Sequence, residues 1–203
     1  VGAMYGFRAV ARGPGVDEAR LAAYCEGSPE HFDWLVDQGV TFKASLWDLP
    51  AYMPSTDDGL MWLGENTHPF SDVAKPAPRG HRPQAADAAG WLLTDVLAAR
   101  ARELGVRVRM DARVRRLVLD DDGRVVGIAI RHFGEELCLR ARRSVVLATG
   151  GYVYNDAMLA RHVPQIRGHT KIGTEADDGL GIQLAQAIGA ATAHMSGAQV
   201  AIW

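Results

Sequence analysis

Cysteine is scarce in this chain of 203 residues: there are two, Cys25 and Cys138, without C-x-x-C spacing. That excludes a disulfide framework or a thiolate metal site, reads them as buried or incidental thiols, and fits a reducing compartment, the cytoplasm. Long hydrophobic runs are missing too. No stretch approaches the roughly 18 apolar residues of a membrane span, and residues 1–12 lack the charged-then-apolar order of a signal peptide. Charge of one sign is not in excess: 22 Lys and Arg face 24 Asp and Glu, a net charge of −2. With only Arg113, Arg115 and Arg116 locally clustered, neither nucleic acid nor an anionic membrane surface is expected as a partner. The seven histidines include no i, i+4 pair and no carboxylate at ligand spacing, so no metal site is read. No G-x-S-x-G elbow supports a Ser-His-Asp hydrolase, and no internal repeat or low-complexity tract is found.

What is there suits one globular domain: 48% hydrophobic and 23% charged residues. The first residue is not methionine and the last three, Ala201-Ile202-Trp203, look like mid-strand, so a piece of something longer is expected. Two helices are predicted early. One starts near Asp17; the second starts at Ser28, an N-cap followed by Pro29 at the first helical position, and stops at Gly39 before a short strand. From Lys43 to about Ala88, six prolines and the aromatic residues Trp47, Tyr52, Trp62 and Phe70, with Trp91 just beyond, break all periodicity. Such a loop is read as ordered by contacts outside the chain, its aromatics serving either as packing or as a wall of an apolar substrate cavity. Within it His81, in a basic turn, is the histidine to watch, whereas His31 is a helix-surface residue.

After Gly90 an apolar stripe predicts a helix stopped by Gly105. Alternation from Val106 through Met110, then Val114 to Leu119, the turn Asp121-Asp122-Gly123, and strands Val125–Ile130 and Leu137–Ala141 around Phe133-Gly134 predict an antiparallel β-meander. Ser144 to Ala148 reads as a parallel strand buried on both faces and ending at Thr149-Gly150-Gly151. After a loop, a helix runs from about Gly179 to Ile188, stopped by Gly189, and the final residues resume strand character. The expected fold is α/β or α+β with a three-layer core.

Two features bear chemistry. At the end of the buried strand, Ala148, Thr149 and Gly150 allow backbone to approach a nucleotide without an intervening Cβ, or form an ordinary tight turn. Asp178 either caps the following helix or accepts a hydrogen bond from a ligand hydroxyl.

Taken together, Gly90 to Val106, Ala112-Arg113-Val114 through Gly127, Val145 to Gly151, and Asp178-Gly179 with its helix to Ala190 resemble the flavoprotein family of fumarate reductase and succinate dehydrogenase flavoproteins and the 3-ketosteroid dehydrogenases. The resemblance implies an incomplete FAD-binding domain, Rossmann-like and of the glutathione-reductase type, with the β-meander inserted. It would span residues 1–203, as a helical pair and long loop over 1–88 and the remainder over 89–203. The G-x-G-x-x-G unit and a C-terminal substrate domain would lie outside the chain. FAD is the implied cofactor, with Val114 meeting the adenine through its backbone, Ala148, Thr149 and Gly150 lining the dinucleotide, and Asp178 a further contact. The family's T-G-D-G is here Ala176-Asp177-Asp178-Gly179, with Asp177 where a glycine stands.

Gln199 to Trp203 lacks the Gln-x-His-Pro-Thr stretch of the dicarboxylate enzymes, which favours an apolar, steroid-like substrate. Residues 23–36 and Pro76 to His81 resemble the 3-ketosteroid Δ4-dehydrogenases. The implied activity is FAD-dependent dehydrogenation of a ketone, with an external electron acceptor and no catalytic residue within this chain. The alternatives are a fumarate reductase or succinate dehydrogenase type of flavoprotein, and a non-catalytic nucleotide-binding module.

Overall fold

A computed structural model describes residues 17–49, 55–73, 75–85 and 88–198. The chain divides into two compact units, Val1–Arg107 and Val108–Trp203.

In the first unit a single helix, α1 (Glu18–Asp37), replaces the two expected. Its N-cap is Asp17, whose carboxylate accepts from the Arg20 amide at 3.1 Å. Ser28 does not start a new helix. Its hydroxyl bonds back to the Tyr24 carbonyl at 2.5 Å, a mid-helix pattern that lets the turn ahead of Pro29 continue although proline donates no amide. Helix α1 ends where expected: Gly39 at φ +100° donates to Val36, and Val40 donates to Leu35. These two bonds form a Schellman closure. Val40, 2% exposed, seals it on the apolar side.

The proline-rich stretch holds strands β1 (Leu46–Trp47), β2 (Leu60–Met61) and β3 (Gly80–His81) and a short helix, α2 (Phe70–Val73). Strand β1 pairs parallel with β2, and β2 antiparallel with β3. The described residues of this stretch also hold one another by internal contacts. Arg82, 8% exposed, donates to the Thr56, Asp58 and Ala85 carbonyls at 2.6, 3.3 and 2.5 Å. Lys43 pairs with Asp57 at 2.6 Å, and the Glu65 carboxylate accepts from the Leu63 and Arg79 amides. The His81 ring packs on Phe32 with centroids 4.6 Å apart and bonds the Arg79 carbonyl, a packing role. Trp62 donates to Asp48, Trp91 is exposed, and Tyr52 lies outside the described residues. Helix α3 (Gly90–Glu103) closes as α1 does, through Gly105 and Val106 bonding to Arg102 and Ala101.

The second unit is built on the expected meander: β4 (Ala112–Leu119), β5 (Val125–His132) and β6 (Glu135–Arg140), antiparallel in that order. Asp120 ties the first turn by accepting from the Asp122 and Arg124 amides, and Gly123 takes φ +77°. Phe133 and Gly134 both have positive φ, the type I′ geometry that matches strand twist. On central β5, Ala129 and Ile130 are fully buried. Cys138 on β6 is exposed rather than buried.

Two strand expectations fail. Val106, Val108 and Met110 precede the sheet and are exposed. Residues 144–148 form no strand, and Val146 is 82% exposed. A strand buried on both faces needs a neighbour on each edge, and among the described residues none pairs with this run.

The loop expected after it contains a helix, α4 (Asp156–His162), capped by Asn155 accepting from the Met158 amide at 3.0 Å, then a 3₁₀ turn (Pro164–Ile166). Helix α5 (Leu180–Gln186) follows, and Gly189 and Ala190 close its end on Gln186 and Ala185. Met158, Leu159, Val163 and Leu184 are the buried apolar residues of these helices and the turn between them. The final-strand expectation, residues 199–203, lies outside the described residues.

Candidate cofactor site

The site is assembled in the second unit from three separate segments. Asp178, just before α5, is anchored three ways: one carboxylate oxygen accepts from the Leu180 amide at 2.9 Å, the other pairs with Arg113 Nη2 on β4 at 2.8 Å, and its carbonyl accepts from Asn155 Nδ2 at 2.7 Å. The Leu180 N–H, and then the Arg113 guanidinium, hold its carboxyl below the usual carboxylate range against the opposing effect of burial. The carboxylate satisfies the first amide of α5, as the local reading of Asp178 expects, and it is held ionised.

The 148–151 turn lies on the same feature. The Gly179 amide donates to the Gly151 carbonyl at 3.0 Å. A Cβ on Gly181 would stand 1.8 Å from Thr149 Oγ1, so the absence of a side chain there lets the threonine hydroxyl rest on α5. Gly150 is in the left-handed region at φ +69°, and a Cβ on it would stand 1.9 Å from Asp177 Oδ1. Asp177 is held from both sides, accepting from the Tyr154 amide and donating to the Thr174 carbonyl. Tyr152 donates its hydroxyl to the Met195 carbonyl, and burial raises its phenol above the ordinary value.

Ala148, Thr149 and Gly150 are exposed and make no hydrogen bond within the chain among the described residues. Their amides and carbonyls face solvent beside an ionised carboxylate, where a polar ligand could replace water as their partner. Val114 sits half-buried on β4 opposite Ile130, where the ladder register shifts between Val114 and Arg116. Its neighbour Arg113 reaches Asp178, and β4 packs with α5.

Sequence reasoning did not single out Arg113, Asn155 or the packing of Asp177 on Gly150. Asn155 ahead of an apolar i, i+3, i+4 pattern was a readable signal; the other two are contacts across long stretches of chain. Among the described residues no cluster of His, Cys, Asp and Glu is arranged to hold a metal. No described helix is long and apolar enough to cross a membrane.

The FAD binding domain family matches residues 2–203. In three dimensions the chain superposes with a TM-score of 0.91 on 3-ketosteroid-Δ4-(5α)-dehydrogenase of Rhodococcus jostii RHA1, solved in complex with 4-androstene-3,17-dione. The two are 48% identical over 96% of this chain and 42% of that one. A 3-oxo-5-alpha-steroid 4-dehydrogenase of Comamonas testosteroni is 31% identical over 57% of this chain and 23% of its own length. An NADH:fumarate oxidoreductase of Klebsiella pneumoniae is 27% identical over 89% of this chain and 17% of its own. The chain thus spans less than half the length of each of these relatives.

Proposed function

The chain belongs to the FAD binding domain family, and from that membership we propose that it is a section of an FAD-dependent oxidoreductase that dehydrogenates a 3-ketosteroid-like substrate. The observation that carries the substrate class is the 48% identity, over nearly the whole chain, to a protein solved with 4-androstene-3,17-dione. Similarity to the fumarate oxidoreductase is lower, and residues 199–203 lack the dicarboxylate motif in sequence.

In this reading Ala148, Thr149 and Gly150 offer their free backbone groups to the dinucleotide, Asp178 accepts from a ligand hydroxyl, and Val114 meets the adenine through its main chain. The donor set fits the adenosine side of FAD: neutral amides and carbonyls of an exposed turn and one carboxylate fixed beside them. Bound FAD supplies the hydride acceptor, and the protein's share is to hold and orient it. The Rossmann-like, glutathione-reductase-type architecture belongs to the same proposal. So do the pyrophosphate-binding G-x-G-x-x-G unit and the substrate domain beyond this chain, in a full-length protein that uses an external electron acceptor in the cytoplasm. Residues 144–148 then find their strand partners in that larger sheet.

The full-length protein containing this chain is expected to purify yellow, with one FAD per chain. Its flavin absorbance should bleach anaerobically on adding a saturated 3-ketosteroid and not on adding succinate. A folded, colourless protein that takes up no FAD overturns the cofactor; bleaching by succinate alone overturns the substrate class.

A further inference from the structure

We propose that Arg113 is a positioning residue of this cofactor site: its guanidinium fixes the Asp178 carboxylate and ties the strand carrying Val114 to the turn carrying Asp178. The proposal rests on the cofactor reading above. Arg113 and Asp178 are 65 residues apart in sequence, yet Nη2 and Oδ2 are 2.8 Å apart. Among the described residues this is the one ion pair that joins the meander to the 177–180 turn. Asp178 Oδ1 is already tethered by the Leu180 amide, so Arg113 supplies the second tether that stops the carboxylate rotating about the first.

The sheet itself directs the arginine there. Its cross-strand partner on β5 is Arg131, and like charges directly opposite repel. Arg131 in turn faces Glu136 on β6. Arg113 finds its carboxylate off the sheet, at Asp178.

The pair is open to water, with side chains 60% and 29% exposed. Exposed ion pairs contribute little to folding. Losing Arg113 therefore leaves the fold near its original stability while freeing Asp178. A neighbouring pair provides a control: Arg116 and Glu136, 2.9 Å apart with side chains 56% and 57% exposed, join β4 to β6 and do not include Asp178.

The test uses the full-length protein, stripped of flavin and titrated with FAD, with urea unfolding measured alongside. Arg113→Met is expected to weaken FAD binding about tenfold, with Arg113→Lys intermediate and Arg116→Met unchanged, all three keeping the urea midpoint. Because Arg113 acts through Asp178, adding Arg113→Met to Asp178→Asn should cause no further loss. If Arg113→Met does not fold, Arg113→Lys carries the test: weaker FAD binding at an unchanged midpoint supports the proposal. Wild-type affinity in the Arg113 variants, equal losses in the Arg113 and Arg116 variants, or full additivity with Asp178→Asn would each overturn it and leave the cofactor reading standing. A wild-type protein that binds no FAD overturns both.

Discussion

Asp178 shows how one side chain serves two ends at once. The amide that makes it a local cap and the guanidinium that reaches it from β4 both stabilise its ionised form, so its folded-state pKa lies below the ordinary 3.8. For a carboxyl depressed in the folded state, the stabilisation is fully present above the unfolded value and is lost as pH falls through the folded one. Asp178→Asn should therefore lie below the wild type in urea midpoint at pH 6, and the gap should close below about pH 4. A gap that stays constant or widens on acidification contradicts this account of the carboxylate. The sequence alone left cap and ligand contact as rival readings. The structure shows the local bond to the Leu180 amide and engages the second oxygen with a residue 65 positions away, a contact that no local pattern announces.

At the scale of elements, glycine stops were the most legible signal. Gly39, Gly105 and Gly189 each end a helix through the same pair of closing bonds, because only glycine adopts the left-handed conformation there without strain. Ser28-Pro29 misled for a related reason: the pair has the same composition as a helix start, and a serine hydroxyl can satisfy a carbonyl four residues back as readily as it caps. Since Pro29 interrupts the backbone bonds of α1, Pro29→Ala should stabilise the protein by roughly 1–3 kcal/mol, seen as a higher thermal midpoint. An unchanged or lower midpoint would show that the proline is accommodated without cost. The strand pattern served well for the meander, where β5 is paired on both edges, and failed at Val106 to Met110. Period-2 spacing marks a strand only when a neighbour pairs with it.

At the scale of the whole molecule, the most legible feature of the sequence was the order of motifs along the chain, which pointed to the flavoprotein family later matched over residues 2–203. What composition could not convey is which surfaces need the rest of the protein. The 144–148 run has the look of a central strand, yet Val146 is exposed here. If that run joins a larger parallel sheet, Val146→Asp buries an unpaired charge at a cost of several kcal/mol. The full-length variant should then be insoluble or free of flavin. A soluble, yellow Val146→Asp protein would show that the residue faces solvent in the complete protein too.

The central claim, that the Ala148 to Gly150 turn beside Asp178 is where the cofactor sits, is tested most directly by comparing two glycines of like strain. Gly150 and Gly123 have φ of +69° and +77°, so alanine at either carries a similar backbone cost, about 1–2 kcal/mol. Only at Gly150 does the added Cβ meet Asp177. In FAD titrations of the full-length protein, Gly150→Ala should bind at least tenfold more weakly than wild type while Gly123→Ala binds normally. Equal affinities for the two variants would place the cofactor elsewhere.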